Sequence, residues 1–183
     1  MPASDPDAPL VRRAQRGDRL AFERLVDRHQ HRLFTLASRT LGSRNEAEDA
    51  VQEAFVRAWR NLGSFRGNAL FSTWLYRICV NAAHDLRERR VPEPVEVVDT
   101  AADPRDRYVD RELSGELQRA LAELDDDQRR TIVLCDVLGC SYAEAAEALE
   151  VAEGTVKSRL FRARRELAQR LGTGGAIPES KEW

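Results

Sequence analysis

A short apolar segment, a tight break and a longer basic segment follow one another between residues 141 and 171. The first reads Ser-Tyr-Ala-Glu-Ala-Ala-Glu-Ala-Leu, the break lies at Glu150 and Val151, and the second includes Gly-Thr-Val-Lys-Ser-Arg-Leu-Phe-Arg. Ser141 followed by Glu144 is a capping-box pattern, which starts a helix by satisfying its free backbone N–H groups. Together these features predict a helix-turn-helix, whose second helix is shaped to enter a DNA major groove.

The second helix of this motif separates apolar from basic residues. Its apolar residues recur at three- and four-residue steps, which places them on one buried face: Val156, Leu160, Ala163, Leu167 and Leu171. The opposite face and its flanks are polar or basic: Thr155, Lys157, Ser158, Arg159, Arg162, Arg164 and Arg165. The alternative is a solvated basic face on an ordinary core helix. Because the cap, the turn and the polar face agree, we favour DNA binding.

The rest of the chain has the periodicity of helices, and no stretch alternates as a half-buried strand would. Asp18 is placed to cap a long helix that Gly42 ends, and Ser43 or Asn45 is placed to cap the next. The predicted helices are 10–16, 18–41, 43–63, 70–90, 108–124 and 127–138, followed by the helix-turn-helix. The sequence therefore predicts an all-α fold.

A change in composition divides these helices into two groups. Three prolines lie among Asp and Glu in residues 92–107, a composition that cannot bury enough apolar surface to order itself. We therefore expect two small helical domains, a four-helix domain in residues 1–91 and a helix-turn-helix domain in residues 108–172. A flexible acidic linker, residues 92–107, would join them. Residues 173–183 would form a mobile tail.

The net charge of −2 hides an uneven distribution along the chain. Acids predominate among the charged residues of 93–127, whereas residues 157–170 are strongly basic, so a DNA-facing surface coexists with an acidic connector. The first residues lack the basic and apolar regions of a secretion signal, and no apolar run is long enough to cross a bilayer. Three cysteines on separate helical segments favour a reducing compartment over a disulfide framework. The expected location is the cytoplasm, without membrane insertion.

The third predicted helix carries an exposed stripe that core packing does not explain. Its members follow i, i+3, i+4, i+7 and i+11 spacing: Asp49, Gln52, Glu53, Val56 and Arg60. A ridge of acids, an amide and an arginine around a small apolar centre suits docking onto a helix of another protein. The pattern is equally compatible with an ordinary solvated face.

The fourth predicted helix and the loop before it interleave basic and aromatic residues. The outer face carries Arg77, Asn81 and His84, and the helix ends in Arg87, Arg89 and Arg90. Trp74 and Tyr76 lie near its start, after the loop Phe65-Arg66-Gly67-Asn68. This mixture suits single-stranded DNA, whose bases stack on rings while its phosphates meet arginines. For the rings Phe71 and Trp74, a place in the core is the favoured interpretation.

Three signatures in this order resemble the extracytoplasmic-function class of bacterial sigma factors. They are Asn-Glu-Ala-Glu-Asp-Ala-Val-Gln-Glu-Ala-Phe-Val-Arg-Ala-Trp at 45–59, Phe-Ser-Thr-Trp-Leu-Tyr-Arg-Ile-Cys-Val-Asn-Ala-Ala at 71–83 and Gly-Thr-Val-Lys-Ser-Arg-Leu-Phe-Arg-Ala-Arg at 154–164. The resemblance spans about residues 10–171. Two positions depart from it: Cys79 stands where the class usually has a small apolar residue, and Ala152 where it often has Ser or Pro.

The resemblance implies a role for each surface. The polymerase-binding residues would grip the clamp helices of the largest RNA polymerase subunit: Asp49, Gln52, Glu53, Val56 and Arg60. The minus-ten residues would hold a flipped base and steady the DNA: Phe65, Arg66, Gly67, Asn68, Arg77, Asn81, His84 and Arg87. The minus-thirty-five residues would read the upstream duplex: Thr155, Lys157, Ser158, Arg159, Phe161, Arg162 and Arg165.

The same resemblance implies the partners and the chemistry. The partners would be core RNA polymerase, through its clamp helices and flap, promoter DNA and an anti-sigma factor, and the free chain would be a monomer. No catalytic residue, metal or cofactor is expected, because recognition and melting need no bond-making group.

Two rival functions remain at the level of sequence. One is a dimeric helix-turn-helix regulator, which would need a dimerisation face or sensory domain that the sequence does not show. The other is a metal-dependent enzyme. His29 and His31 are two apart on a helix and point to different faces, and Cys135 and Cys140 lack partners at zinc-ligand spacing. Packing is the favoured role for the cysteines.

Overall fold

The computed structural model describes residues 5–89 and 115–172. The predicted linker and tail, residues 92–107 and 173–183, lie outside the described residues. Within the described ranges there are helices and no strands, so the all-α prediction is confirmed. The helices are α1 (Ala8–Ala14), α2 (Arg19–Leu41), α3 (Arg44–Asn61), α4 (Phe71–Glu88), α5 (Gly115–Ala122), α6 (Asp126–Ile132), α7 (Tyr142–Leu149) and α8 (Glu153–Arg170).

Local chemistry sets most of the helix ends. The Asp18 carboxylate accepts the Ala21 N–H at 3.1 Å and caps α2, and Gly42 ends that helix at φ +73°. A left-handed φ of this kind favours glycine, because a Cβ atom there meets the backbone. Ser43, one of the two predicted caps, is the residue that caps α3. The helix stops at Asn61, two residues before the predicted glycine, because a 3₁₀ turn at Leu62–Ser64 follows it.

The first four helices enclose a core in which α2, α3 and α4 pack against one another. The inner face of α3 consists of four alanines that are 0 % exposed, Ala47, Ala50, Ala54 and Ala58. Such short side chains let neighbouring helices approach closely, so larger residues of α2 and α4 fill the core between them. The largest of those are Leu25, Leu33, Leu36, Phe71 and Leu75.

The helix-turn-helix forms as the sequence predicts. Ser141 Oγ accepts the Glu144 N–H at 3.2 Å, and the Glu144 carboxylate accepts the Ser141 N–H at 2.7 Å. At the end of α7, Glu150 adopts a left-handed φ of +55°, which makes the turn into α8. Before the motif, α6 continues through a π-helical turn at Val133–Val137, and Gly139 follows at φ +71°.

The two groups of helices touch through α4, which packs against α7, and through α2, which packs against α5 and α6. Arg32 connects the groups from α2, because its Nε donates to the Tyr76 hydroxyl at 2.6 Å and its Nη2 donates to the Leu138 carbonyl. α4 is therefore buried on two sides, and its second buried side includes Tyr76, Val80 and Ala83.

Candidate polymerase and promoter interfaces

The ridge predicted on α3 lies on the protein surface. Asp49, Gln52, Val56 and Arg60 are exposed, and Glu53 is half-buried. The Glu53 carboxylate accepts a hydrogen bond from Arg57 Nε at 2.7 Å, and Arg57 Nη1 reaches Asp85 of α4 at 2.6 Å. These two hydrogen bonds raise the pKa of Arg57. Glu53 is thus tied into the joint between α3 and α4, while Asp49 and Arg60 form no ion pair among residues 5–89 and 115–172.

The loop between the 3₁₀ turn and α4 presents two of its predicted minus-ten residues to solvent. Arg66 and Asn68 are exposed, and Gly67 between them takes a left-handed φ of +71°. The Phe65 ring points inward and is only 9 % exposed. It lies edge-on to Phe71, with 5.7 Å between the ring centroids at 84°. Phe65 therefore anchors the loop, and the groups that can reach a base are those of its neighbours.

The outer face of α4 carries four predicted residues in one exposed row: Arg77, Asn81, His84 and Arg87. Two of them meet acids from the second group of helices. Arg77 Nη2 lies 3.4 Å from a Glu150 carboxylate oxygen, and Arg87 Nη1 donates to Asp126. His84 Nε2 lies 3.9 Å from Glu88 on the same helix. Both arginines are therefore exposed and at the same time paired with acids of the second group of helices.

Tyr76 does not join the surface that its position in the sequence indicated. It is 3 % exposed, and burial raises the pKa of its hydroxyl. Trp74 is half-buried against Phe65, with 5.0 Å between centroids. Tyr76 is therefore not available on the surface of α4 for stacking on a base. The Tyr76 hydroxyl accepts a hydrogen bond from Arg32, which lies 44 positions away along the chain, so this contact leaves no local signal in the sequence.

The second helix of the helix-turn-helix, α8, buries the residues expected to face the core. Val156, Leu160, Ala163 and Leu167 are buried, and Leu171 just beyond the helix is half-buried. On the opposite side Lys157, Phe161, Arg162 and Arg165 are exposed, with Phe161 at 56 %. Thr155, Ser158 and Arg159 are half-buried. This exposed side is basic and carries one large apolar ring.

Intramolecular contacts divide the cations of α8 into two kinds. Arg159 Nη2 donates to Asp127 of α6, and Arg164 donates to Asp136 at 2.7 and 3.0 Å. Lys157 lies over the Tyr142 ring, with 5.8 Å from Nζ to the centroid. Arg162 and Arg165, by contrast, line a polar cleft with Gln128, Glu166, Gln169 and Arg170. Arg162 and Arg165 are exposed and form no ion pair within the described part of the chain.

The cysteines are packing residues among the described helices. Cys79 is fully buried and its Sγ lies 3.9 Å from the Leu33 carbonyl oxygen. Burial raises the pKa of Cys79 and Cys135 to about 12 and that of Cys140 to about 11. In residues 5–89 and 115–172, no three His, Cys, Asp or Glu side chains form a group that could hold a metal ion. The helices in the same ranges include none that is long and apolar enough to span a bilayer.

Sequence reasoning missed three residues that position these surfaces: Asp5, Gln15 and Arg129. Each is a polar side chain that forms at least one hydrogen bond with a backbone group far away in the sequence. Asp5 and Arg129 are buried, and both are charged. A charged residue is rarely buried without partners, but the sequence does not show which charged residues will be buried or which partners they will have.

Two regions of the chain match sigma-70 family models: residues 25–91 match "Sigma-70 region 2", and residues 114–167 match "Sigma-70, region 4". The chain is 43 % identical over 166 residues to the ECF RNA polymerase sigma factor SigM of Mycobacterium tuberculosis H37Rv, which covers 91 % of this chain and 85 % of SigM. It is 38 % identical to the ECF RNA polymerase sigma-E factor of Escherichia coli K12, covering 90 % of this chain and 94 % of that protein.

Two solved structures share the arrangement. CnrH, in complex with the cytosolic domain of CnrY, superposes with a TM-score of 0.73 at 31 % identity and covers 93 % of this chain and 100 % of its own. The sigma factor RpoE of Bartonella quintana, in complex with the anti-sigma factor NepR, has a TM-score of 0.68 at 26 % identity, covering 84 % of this chain and 98 % of its own.

A helical group whose residues 25–91 match region 2, followed by a helix-turn-helix within the region 4 match, defines a sigma factor, the component that directs RNA polymerase to promoters. Within that family, this chain belongs to the extracytoplasmic-function class of bacterial RNA polymerase sigma factors. Its relatives do not favour the alternative of a helix-turn-helix regulator that acts without the polymerase.

Proposed function

We propose that each of the three surfaces has a separate task in promoter recognition by the holoenzyme. The α3 ridge would bind the clamp helices, the loop with α4 would capture bases of the minus-ten element, and α8 would read the minus-thirty-five duplex. The observation that carries the proposal is the sorting of side chains on α8. Val156 and Leu160 are buried there, while Lys157, Phe161 and Arg162 are exposed.

Reading of the upstream element would follow from the exposed side of α8. Phosphate contacts set the register of a protein on DNA, whereas contacts with base edges discriminate between sequences. Arg162 and Arg165 are accessible and suit either task, because a guanidinium can form two parallel hydrogen bonds with guanine. Phe161 could pack against a thymine methyl group. Arg159, which is paired with Asp127, would hold its position relative to α6.

Melting of the downstream element would depend on the loop and the outer face of α4. Bases that leave the duplex stack expose edges that an amide can read, and Asn68 and Asn81 are exposed. Arg66, Arg77 and Arg87 would meet the phosphates. Binding energy for the single strand would then offset the free energy of unstacking.

Membership of the class supports the expected partners, while the domain boundaries are those predicted from the sequence. The polymerase clamp helices and flap would hold the two domains, 1–91 and 108–172, over their two promoter elements, which raises avidity without new contacts. The chain would act in the cytoplasm, without catalysis or a cofactor, and the free chain would be a monomer controlled by an anti-sigma factor. The RpoE complex with NepR supports control by an anti-sigma factor through homology.

Run-off transcription tests the proposal. Core polymerase with and without the purified chain would transcribe a library of randomised promoters, and we expect defined start sites only with the chain present. A gel shift on the selected promoter, with and without core polymerase, would complete the test. Strong specific binding by the chain alone, with no effect on initiation, would contradict the proposal and indicate a regulator instead.

A further inference from the structure

The loop that carries Arg66 and Asn68 is held at both ends by the N-terminal segment of the chain. At its start, Gln15 Nε2 donates to the Leu62 carbonyl at 3.0 Å and to the Phe65 carbonyl at 2.8 Å. At its end, the Asp5 carboxylate accepts the Phe71 N–H at 2.8 Å. Both anchors therefore come from residues about fifty or more positions earlier in the sequence.

Asp5 acts as the missing N-cap of α4. The residue at the N-cap position, Leu70, has no side chain that can accept a hydrogen bond, and the first turn contains no acid. The first N–H groups of a helix have no partner within the helix, and a carboxylate there also meets the positive end of the helix dipole. Asp5 supplies that carboxylate from outside the helix, at the point where the loop becomes α4.

The N-terminal segment is fixed to α2, so it can hold the loop in place. The second carboxylate oxygen of Asp5 accepts the Asp7 N–H at 2.9 Å. The Asp7 carboxylate in turn meets His29 Nε2 at 2.7 Å and Arg28 Nη1. Asp5 is 9 % exposed and Asp7 3 %. These contacts leave Asp5 little freedom to move away from α4.

Aromatic packing completes the connection to the loop. The Phe71 ring lies 5.6 Å from the His29 ring and 5.7 Å from the Phe65 ring. Phe65 in turn contacts Trp74 at 5.0 Å. The loop backbone can therefore not shift at Phe65 or Phe71 without disturbing both the hydrogen bonds and the rings.

We propose that Gln15 and Asp5 are positioning residues for the minus-ten loop, which they hold in the conformation that receives a single-stranded base. The inference rests on the proposed function of the loop. A loop ordered in the free protein loses less conformational entropy on binding, so its affinity for the single strand is higher. Asp5 is buried and so would not touch DNA, while both N–H donors of Gln15, an exposed residue, are committed to carbonyls of the loop.

The test uses holoenzyme assembled from the full chain and core polymerase, on a promoter selected by the wild-type holoenzyme. Gln15→Glu keeps the size of the side chain but removes its N–H donors, and Asp5→Ala removes the cap. Gln30→Ala, an exposed glutamine on α2, is the matched control. The measured quantity is the ratio of affinities for the selected single-stranded minus-ten oligonucleotide and a scrambled one.

We expect Gln15→Glu and Asp5→Ala to lower this ratio about tenfold and to slow open-complex formation on the duplex promoter. The affinities for core polymerase and for the minus-thirty-five duplex should stay at the wild-type level. All affinities are measured well below the unfolding temperature of each variant. Gln15→Arg, whose guanidinium offers donors to the same carbonyls, should restore most of the wild-type ratio of affinities. A purely structural role would reduce all the affinities together.

Variants of the loop separate this inference from the proposed function. Arg66→Ala and Asn68→Ala should reduce the affinity for the selected strand directly. If these two have no effect, the loop is not the base-capturing element and the proposed function fails. If they reduce the affinity while Gln15→Glu and Asp5→Ala match Gln30→Ala, the loop assignment stands and the positioning role is refuted.

Discussion

Arg129 Nη1 of α6 donates a hydrogen bond to the Thr40 carbonyl at the end of α2, with 3.0 Å between the atoms. The same guanidinium reaches the end of α5, where it donates to the carbonyls of Leu121, Ala122 and Leu124 at 2.6 to 2.7 Å. The last carbonyls of a helix have no partner within it. One buried cation thus satisfies the ends of two helices and joins the two groups of helices.

Arg129→Ala should lower the free energy of unfolding by about 3 kcal/mol, because it leaves buried carbonyls without donors. Arg129→Lys should lose less, since an ammonium keeps the charge but cannot reproduce the planar fork. Urea denaturation measures both. The control is Arg119→Ala, an exposed arginine of α5, which should change the stability by less than about 0.5 kcal/mol. Equal stability of Arg129→Ala and the control would show that the carbonyls find other partners.

Asp49→Arg should weaken the binding of core polymerase by at least about tenfold, because it reverses a charge at the exposed ridge of α3. Glu23→Arg makes the same charge change on the exposed side of α2 and should leave the affinity unchanged. Fluorescence anisotropy of the labelled chain with core polymerase measures both variants, and circular dichroism checks the fold. Wild-type affinity of Asp49→Arg would remove the ridge from the polymerase interface.

Arg162→Ala should reduce discrimination at the minus-thirty-five element by about 1–3 kcal/mol, the range expected for one good contact with a base. Arg164→Ala removes the same charge from the same helix, but Arg164 is engaged with Asp136 and should affect discrimination little. The measurement compares holoenzyme affinity for the selected duplex and for base-substituted duplexes at one salt concentration. A loss that is equal on every sequence would make Arg162 a phosphate contact.

The buried Asp7 carboxylate should make the stability of the protein fall in acid. Burial alone would raise its pKa, but the hydrogen bonds and charges of His29 and Arg28 outweigh burial and lower the pKa below its ordinary value of 3.8. Its ionisation therefore adds stability in full above pH 3.8, and that stability is lost as the pH falls through the lower folded value.

Urea denaturation of wild type and Asp7→Asn across this pH range measures the effect. The destabilisation caused by Asp7→Asn should shrink as the pH falls below 3.8. A difference that stays constant through the acid range would mean that the charge of Asp7 contributes nothing, and that Asp7→Asn acts through shape alone.

The three thiols should react slowly with iodoacetamide at pH 7, because burial holds their pKa at about 11 to 12 and the thiolate is the reactive form. Cys140, which has the lowest of the three values, should be modified before Cys79. Mass spectrometry of the timed reaction identifies each site, and urea-unfolded protein is the reference for full reactivity. Rapid labelling of Cys79 in the native protein would show that α4 opens frequently.

The order and type of the helices could be read from the sequence because their signals are local. Asp18 caps α2 by accepting the N–H of Ala21, three residues further on. Ser141 and Glu144 form reciprocal hydrogen bonds at the start of α7, and Gly42 ends α2 through its own backbone conformation. The alternation that puts Val156 inside and Lys157 outside is likewise a property of one helix. These features need no knowledge of the remaining fold.

Site geometry could be anticipated only in part. The rows on α3 and α4 were expected at the surface, and most of their members lie there, although their roles stay predictions. The inward ring of Phe65 and the burial of Tyr76 were not foreseen. An aromatic residue beside basic ones suits either stacking on a base or packing in a core, and only the neighbouring helices decide between the two.

The amino-acid sequence by itself thus determined an all-α chain with a helix-turn-helix, since periodicity and caps act within a few residues. Tertiary structure alone decided that Asp5 caps α4, that Gln15 holds the loop and that Arg129 joins two helix ends. Each of these contacts joins a side chain to a distant backbone group that carries no sequence signature of its own. Such pairs form only where packing brings the helices together and burial makes an unsatisfied polar group costly.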